Sequence, residues 1–301
     1  MRKYMKSNYL VSIIMTCYNG ETFLDKAVNS ILNQTYSNWE LIFYNNNSDD
    51  KSEKIIKNFK DKRIKYFKSK KLVNLGTIRK LALNKCKGDF ISFLDVDDYW
   101  SKFKLQKQIK KFKSNKKIDV VYSNYFKVED GRIEKLKKPL FKGYCQNKII
   151  LSYFKGNPLT AWLTLMIKKS AIDKLKYSFD EKTHIASDFD LIIRLSFFCN
   201  FDFIKDYLSY YRIHLHNESK SKKNEINELI YIINKYKKNK IITSIFFNNN
   251  YAYRLYLKYF LLNKFRLNKI KNFEMIKKVN ISLLYLFTKL VPKKVLSIFI
   301  K

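Results

Sequence analysis

Four apolar segments in the first hundred residues alternate with helical patterns, and this alternation constrains the fold more than any other feature. The segments have the length and the β-branched or aromatic content of buried strands. Between them, apolar residues recur at the three- and four-residue spacing of amphipathic helices. Such alternation predicts an α/β fold in which helices flank a mostly parallel, Rossmann-like central sheet with right-handed crossovers. The predicted strands are Leu10–Thr16, Trp39–Tyr44, Arg63–Phe67 and Asp89–Leu94.

Polar clusters follow three of the predicted strands, at Thr16–Asn19, Asn45–Asp50 and Asp95–Asp98. The carboxyl ends of parallel strands lie at one edge of a sheet, where open α/β folds bind their ligands. The sequence therefore predicts one crevice that is assembled from three separated stretches of the chain.

The third cluster places three carboxylates in four positions: Asp95, Asp97 and Asp98. Carboxylates this close repel one another, and a hard divalent cation with a phosphate ligand would relieve the repulsion. The alternative interpretation is an acidic N-cap on the predicted helix 102–112, since Asp is a good N-cap residue.

The charge of the chain is strongly positive, with Lys+Arg 61 against Asp+Glu 26, a net +35 over 301 residues. A field of this sign favours anionic membrane surfaces, phosphorylated ligands or nucleic acid. The richness in Lys, Asn and Ile is also what an AT-rich genome produces. A basic nucleic-acid-binding protein is therefore an alternative function, but the lysines are spread along the whole chain and no recognised nucleic-acid module occurs. We expect no nucleic-acid partner.

The cysteine spacing indicates a reducing compartment, and the apolar runs favour neither a signal peptide nor a membrane-spanning helix. The four cysteines lie far apart, without zinc or redox spacing. The apolar run that follows the basic N-terminus is short and lacks a cleavage site, so we interpret it as the first strand and not as a signal peptide. The sequence contains no run of about 18 uninterrupted apolar residues, so we expect no membrane-spanning helix. We expect a cytoplasmic protein.

The remaining patterns divide the chain into a catalytic domain at 1–220 and a helical C-terminal extension at 221–301. The domain has a nucleotide-binding half at about 9–130 and an acceptor half at about 131–220. The tail at 281–300 has the composition of a basic amphipathic helix lying on an anionic membrane leaflet, which would place the protein peripherally at the inner face of the plasma membrane. A helix packed on the catalytic domain remains the alternative. The later elements predicted are a hairpin around Glu129–Gly131, a strand at Leu163–Ile167, a helix at Asp188–Phe198 and an extended segment at Tyr207–Ile213.

The order of short motifs along residues 9 to 221 resembles the family 2 glycosyltransferases, which have a nucleotide-sugar-binding fold of the A type. Each motif is weak alone, and their order carries the resemblance. The stretches are Val11–Gly20, Ile31–Tyr36, Trp39–Ile42, Asn74–Gly76 with Arg79, Lys87–Asp89, Phe93–Trp100, Lys104–Leu105 with Gln108, Phe179–Glu181, Ser187–Leu191 and Tyr211–His214.

The resemblance implies a donor site with a metal ion. Thr16 and Tyr18 correspond to positions that hold the base and ribose, and Arg79 to one that contacts the nucleotide. Asp97 and Asp98 correspond to the motif that binds the ribose-phosphate and the metal. Asp98 is expected to be the direct ligand of Mn²⁺ or Mg²⁺, together with diphosphate oxygens.

The resemblance also implies an acceptor side. Asp188 corresponds to the general base, with a helix N-cap as its alternative interpretation. His214 corresponds to a histidine that reaches the metal or the diphosphate. We expect the remaining candidates to support these groups or the acceptor: Asp95, Trp100 and Asp190.

Two positions depart from the family pattern. The second strand ends in Asn45 and Asn46 where the family usually has acids, one of which accepts a hydrogen bond from uracil. We expect Asn46 to accept this bond as a neutral and weaker partner. Ser187 stands where an acid often precedes the base.

The implied function is inverting, metal-assisted transfer from a nucleotide-diphosphate sugar, a UDP-sugar by family default, to a glycan or lipid-linked acceptor hydroxyl. The implied context is bacterial cell-surface polysaccharide or lipopolysaccharide synthesis. Because of the two departures, a relative that binds the nucleotide sugar but is catalytically weakened is a further alternative.

Overall fold

The structure is a computed structural model that describes residues 8–136, 142–144, 149, 161–215, 217, 228, 231, 232, 235 and 236. The chain divides into two compact units. One comprises Met1–Ile149 and Leu159–Ser221, and the other comprises Ile150–Pro158 and Lys222–Lys301. All elements given below belong to the first unit. The predicted amphipathic tail at 281–300 lies outside the described residues, so its interpretation and the predicted domain boundary stay predictions.

The first half of the described chain has the predicted strand and helix alternation. Strand β1 lies between β2 and β4, and β3 pairs with the outer side of β2, all in parallel. This confirms the α/β class with a parallel core. The elements are β1 (Val11–Cys17), α1 (Glu21–Leu32), β2 (Trp39–Asn45), α2 (Ser52–Asn58), β3 (Ile64–Lys68), α3 (Leu75–Leu83) and β4 (Phe90–Phe93).

The second half extends the same sheet with strands of both directions. The order across the sheet is β3-β2-β1-β4-β8-β6-β9-β5, with β7 paired to β6. Strands β6 and β9 are parallel, whereas β8 runs antiparallel to both β4 and β6. Most paired positions of the sheet are parallel. The elements are β5 (Tyr99–Trp100), α4 (Lys104–Ser114), β6 (Val120–Glu129), β7 (Arg132–Leu136), a 3₁₀ turn (Trp162–Thr164), β8 (Met166–Lys168), α5 (Lys169–Ile172), α6 (Ser187–Ser196) and β9 (Phe201–Ile213).

The hairpin around Glu129–Gly131 is confirmed, and the backbone explains it. Asp130 and Gly131 have φ of 47° and 78°, as a two-residue hairpin turn between right-twisted strands requires. The predicted strand Leu163–Ile167 is wrong in its first part, because residues 162–164 form the 3₁₀ turn and only Met166–Lys168 pair as a strand. Strand β9 is also longer than the predicted segment and begins at Phe201.

The 3₁₀ turn is buried, so its backbone carbonyls need donors inside the protein. Three consecutive carbonyl groups, those of Leu163, Thr164 and Leu165, receive them from side chains of other elements. Leaving one such group unsatisfied would cost about 1–3 kcal/mol. The donors are Trp100 Nε1 to Leu163 O at 2.9 Å, Gln108 Nε2 to Thr164 O at 2.8 Å and Ser92 Oγ to Leu165 O at 2.7 Å.

Lys104 completes this polar network from inside the core. Its side chain is fully buried, and its Nζ lies 2.9 Å from Ser92 Oγ, 2.8 Å from Gln108 Oε1 and 4.0 Å from the centre of the Trp100 ring. Burial lowers the pKa of Lys104 well below its ordinary value. The residues that form the Lys104–Leu105 and Gln108 motif therefore hold the turn beneath the crevice.

The apolar core forms where the central strands pack against α1, α4 and the 3₁₀ turn. Its largest fully buried side chains include Trp39, Phe43, Phe93 and Phe112. Helix α3 is joined to the segment before α6 at Gly76, whose N–H donates to Thr183 O at 3.0 Å. A Cβ atom on Gly76 would lie 2.0 Å from Asp180 O, so only glycine allows this approach. No helix in the described part of the chain is long and apolar enough to span a membrane.

Candidate active site

The loops after β1 and β4 meet at Gly20. A Cβ atom there would lie 2.9 Å from Val96 Cγ2 and 3.0 Å from Cys17 Sγ, so glycine permits the close contact. Thr16, at the end of β1, is buried, whereas 47% of Tyr18 is exposed beyond it. Two of the polar clusters that the sequence predicts to meet are therefore adjacent, and the Tyr18 ring is accessible to a ligand.

The loop after β2 is fastened to the loop after β1 by backbone and side-chain hydrogen bonds. Asn46 N–H donates to Cys17 O at 2.7 Å, Asn19 N–H to Ser48 Oγ at 3.0 Å and Gly20 N–H to Ser52 Oγ at 2.9 Å. The three predicted clusters thus form one crevice at the carboxyl edge of the parallel strands.

Both asparagines at the end of β2 use their side chains inside the protein. Asn46 Oδ1 accepts the Val73 N–H at 3.1 Å, and its Nδ2 donates to Val73 O at 2.8 Å. Asn45 Oδ1 accepts the Ser48 N–H at 2.7 Å. This pairing favours a role in holding the 69–73 loop over the expected role of Asn46 in accepting a bond from the base.

The three carboxylates that follow β4 have different environments. The exposed side-chain fraction is 36% for Asp95 and 24% for Asp97, whereas Asp98 is 1% exposed. None of them caps α4, because strand β5 intervenes and the N-cap residue is Phe103, without a side-chain cap. The structure therefore does not support the helix-cap interpretation.

Asp98 is buried where the loop after β4 contacts β9. Its Oδ1 accepts the backbone N–H of Arg212 on β9 at 2.9 Å. Burial raises the pKa of Asp98 well above its ordinary value, with the charges of Asp97 and Asp95 adding to the rise. This geometry favours a structural role in joining the β4 loop to β9, and it makes Asp97 the better candidate for a metal ligand.

Asp97 faces two side chains from the end of β9. Its Oδ2 lies 3.1 Å from Nε2 of His214 and 3.3 Å from Nδ2 of Asn217. Asn217 in turn accepts the backbone N–H of His214 through Oδ1 at 2.6 Å. The structure thus brings His214 next to the carboxylate cluster, as the sequence leads one to expect.

The guanidinium of Arg212 lies between two aromatic rings, 4.8 Å from the centre of Phe23 and 5.1 Å from that of Tyr99. Its Nε and Nη2 atoms and Nδ1 of His214 are buried without a hydrogen-bond partner among the described residues. Burial lowers the pKa of Arg212 from its ordinary value. Buried donors of this kind fit an anionic ligand, and an imidazole beside Asp97 fits a divalent metal.

Arg79 joins β4 to the helix that carries Asp188. One Nη atom lies 3.3 Å from Asp95 Oδ1 and the other donates to Ser187 Oγ at 2.5 Å. The guanidinium also lies 4.7 Å from the centre of the Trp162 ring. The Arg79 side chain is buried, like the neighbouring inward-facing residues of α3, and is not a surface arginine.

Asp188 lies in the first turn of α6, and it is half-buried. The N-cap residue is Ala186, without a side-chain cap, so the alternative interpretation of Asp188 as the N-cap is not supported. Burial raises the pKa of Asp95 to about 6, the charges of Asp97 and Asp188 add to the rise, and the Arg79 guanidinium opposes it. Arg79 thus connects the cluster after β4 with Ser187, the residue directly before Asp188.

Replacing Asp95 by Asn is expected to stabilise the metal-free protein at pH 7.5 by about 1 kcal/mol, after allowance for screening of a partly exposed group. The folded protein holds the proton to about pH 6 and the unfolded chain only to about pH 4. Ionisation therefore destabilises the fold progressively as the pH rises between these values. Thermal unfolding in chelator should show the gain at pH 7.5 and its disappearance near pH 4. A gain that is the same at both pH values, or a loss at pH 7.5, would contradict this prediction.

Two further candidates have structural partners. Asp190 is fully buried and forms an ion pair with Arg194 at 2.8 Å, one helical turn along α6. Trp100 is buried and supports the 3₁₀ turn through its Nε1. Both contacts fit the supporting role that the sequence leaves open for these residues.

Sequence reasoning missed three residues of the site: Arg212, Asn217 and Trp162. Arg212 lies inside the Tyr211–His214 motif, which could have indicated it, but the resemblance implies a role only for His214. Asn217 and Trp162 carry no such signal, because their contacts arise from the fold. Within the described residues, no three His, Cys, Asp or Glu side chains are arranged to hold a metal ion by themselves.

The open sheet and the charged groups beyond its parallel strands define an α/β protein with a candidate ligand site at that edge. Comparison with known sequences gives the family. Residues 12–175 match the model of Glycosyl transferase family 2, and the chain belongs to this family. It is a glycosyltransferase.

Two relatives and one solved structure illustrate the similarity. The chain is 37% identical over 210 residues to the glycosyltransferase MJ1057 of Methanocaldococcus jannaschii, covering 68% of this chain and 71% of that protein. It is 32% identical over 175 residues to WfgD of Escherichia coli, a UDP-Glc:alpha-D-GlcNAc-diphosphoundecaprenol beta-1,3-glucosyltransferase. This match covers 58% of this chain and 66% of WfgD. The mannosyltransferase PcManGT of Pyrobaculum calidifontis, solved with GDP-Man and Mn²⁺, has a TM-score of 0.62 at 12% identity over 94% of this chain and 80% of that one. This last likeness shows the A-type glycosyltransferase fold.

Proposed function

We propose that this enzyme transfers a sugar, with inversion, from a nucleotide-diphosphate sugar to a hydroxyl group of a glycan or lipid-linked acceptor. The observation that carries the proposal is the contact of Arg79 with both Asp95, in the carboxylate cluster after β4, and Ser187, the residue directly before Asp188. The carboxylates provide a base, and the Arg212 Nε and Nη2 donors, which have no partner among the described residues, provide a diphosphate site.

The donor site comprises Tyr18 on one side of the crevice and the Asp97, His214 and Arg212 group on the other. Tyr18 is the accessible ring for the nucleoside, while two Arg212 nitrogens that lack a partner in the described part of the chain suit the diphosphate. A uridine nucleotide is supported by the family default and by the UDP-glucose in the name of WfgD. Because Asn46 is engaged with Val73, we propose that the base is recognised by groups other than the end of β2.

Asp97 and His214 would hold Mn²⁺ or Mg²⁺, together with oxygens of the diphosphate. When bound, the metal would neutralise charge on the departing diphosphate. Asp98 supports this group by fixing the loop to β9 through the Arg212 N–H. The proposed ligand thus differs from the one that the family motif suggests, because Asp98 is buried and Asp97 is not.

Asp188 takes the proton of the acceptor hydroxyl as its oxygen attacks the anomeric carbon. The bond from that carbon to the diphosphate oxygen breaks as the new glycosidic bond forms, so the configuration inverts. Asp188 suits this role because it lies in the first turn of α6, directly after the Ser187 that Arg79 joins to Asp95.

The biological setting follows from the relatives by analogy. WfgD is named for an acceptor attached to diphosphoundecaprenol, which supports a lipid-linked acceptor and a role in surface-glycan synthesis for this chain. A net charge of +35 would favour contact with the anionic inner face of the plasma membrane from the cytoplasm.

A thermal-stability panel is the direct test of the donor. A ligand that binds only the folded state raises its melting temperature. We expect UDP or a UDP-sugar with Mn²⁺ to raise it by several degrees, GDP-mannose to raise it less, and chelator to remove most of the effect. No shift with any nucleotide would contradict the proposal. A shift without transfer or hydrolysis of any nucleotide sugar would identify the catalytically weakened alternative.

A further inference from the structure

Ser187 and Arg79 form a buried contact directly before the proposed base. Ser187 is the first residue of α6 and is fully buried, and Asp188 is the next residue. Its Oγ accepts a hydrogen bond from Arg79 at 2.5 Å, while the other end of the guanidinium faces Asp95. A charged donor makes this bond stronger than one between neutral groups.

Helix α3 approaches the segment before α6 at several points, and the Arg79 contact is the one nearest to Asp188. Gly76 N–H donates to Thr183 O at 3.0 Å, and Leu75 N–H donates to Nδ1 of His184 at 3.1 Å. These contacts fix the chain as far as His184. The Arg79–Ser187 bond carries the connection from α3 into the first turn of α6.

We propose that Ser187 is a positioning residue: Arg79 holds its hydroxyl and thereby sets the distance between Asp188 and the carboxylates that follow β4. This inference rests on the proposed role of Asp188 as the base. Arg79 is supported in turn by the Trp162 ring, whose segment is held by the buried donors beneath the crevice. The Arg79–Ser187 pair therefore links the position of α6 to that of the loop after β4.

A hydroxyl at 187 has an electrostatic advantage over a carboxylate. A carboxylate there would share the Arg79 charge with Asp95 and would add a fourth acid to Asp95, Asp97 and Asp188. The hydroxyl accepts one hydrogen bond and leaves the positive charge directed at Asp95. The Ser187 hydroxyl thus binds Arg79 less strongly than a carboxylate would, but it adds no negative charge near Asp188.

The test is steady-state kinetics of Ser187→Ala, using the nucleotide sugar that stabilises the protein most in the panel above and water as the acceptor. We expect kcat to fall about 10-fold, because a displaced base reacts from poorer geometry. KM for the donor and the Kd of the nucleoside diphosphate with Mn²⁺ should stay within about twofold, because the donor site keeps its contacts. A rise in KM with unchanged kcat would overturn the inference.

Ser196→Ala is the matched control, since Ser196 is buried at the other end of α6 and its Oγ donates to Ile193 O at 2.6 Å. We expect it to keep the wild-type kcat. Arg79→Lys provides the second measurement: in the double variant with Ser187→Ala, kcat should be no lower than in Arg79→Lys alone, because the two residues act through one contact. Multiplying losses would overturn the inference, as would a wild-type kcat in Ser187→Ala. If the wild type turns over and Asp188→Asn does not, the proposed function stands whichever result Ser187 gives.

Discussion

Asp188→Asn is expected to lower the rate of sugar transfer by about 10³-fold, which is within the usual contribution of a general base. The amide has nearly the same shape as the carboxylate, but it cannot take the proton of the attacking hydroxyl. Binding of the nucleoside diphosphate with Mn²⁺ should be unchanged, since the donor groups lie on β1, the β4 loop and β9. The measurement is single-turnover transfer or hydrolysis, with binding followed by calorimetry.

Asp173→Asn provides the control for this substitution. Asp173 follows α5, and its exposed side chain pairs with Lys169 at 2.8 Å, outside the site. We expect transfer at the wild-type rate. If Asp188→Asn also retains a rate near that of the wild type, the base is another residue and the inverting mechanism given above is wrong in that assignment.

Asp97→Asn is expected to weaken nucleoside diphosphate binding about 100-fold in Mn²⁺, or about 2.7 kcal/mol, and to change it little in chelator. Removing a charged oxygen ligand reduces the metal's contribution, and the contacts that do not involve the metal remain. Titration calorimetry with UDP in the presence of Mn²⁺ and of chelator measures both values for each variant.

Asp98→Asn separates the two assignments of the metal ligand. An Asn at 98 can still accept the Arg212 N–H through Oδ1, and it removes a buried group whose pKa is raised by burial. We therefore expect the ratio of affinities in Mn²⁺ and in chelator to stay near that of the wild type. Loss of the metal effect in Asp98→Asn but not in Asp97→Asn would restore the assignment that the family motif implies.

The sequence predicts the first four strands and their helices because each apolar segment there is continuous and bounded by polar turns. It does not predict which of Asp95, Asp97 and Asp98 faces the crevice. The chain turns at Val96–Asp97 and leaves the strand, so the two-residue alternation of side chains no longer applies. The orientation of Asp98 depends on Arg212, more than one hundred residues further along the chain.

The same reason explains the unpredicted contacts of Asn46 and the incomplete strand at Leu163–Ile167. The side chain of Asn46 is occupied by the backbone of Val73, and no local pattern indicates a contact across 27 positions. The apolar run at 163–167 has strand composition, but the carbonyls of Leu163, Thr164 and Leu165 accept hydrogen bonds from distant side chains, and only the end of the run pairs as a strand. Local patterns predict an element well where its backbone groups hydrogen-bond to other backbone groups. They predict it poorly where the backbone groups hydrogen-bond to side chains that are distant in the sequence.

The buried turn at Trp162–Thr164 has a consequence for recombining this chain with its relatives. Its carbonyl groups depend on Ser92, Trp100 and Gln108, which precede it by more than fifty residues. A chimera joined between residues 108 and 162 would take these donors from one parent and the acceptors from another, although each parental half keeps its own apolar core. Crossover points that preserve the block from β4 through β8 keep donors and acceptors from a single parent. Exchanges aimed at acceptor choice are therefore best joined after Lys168.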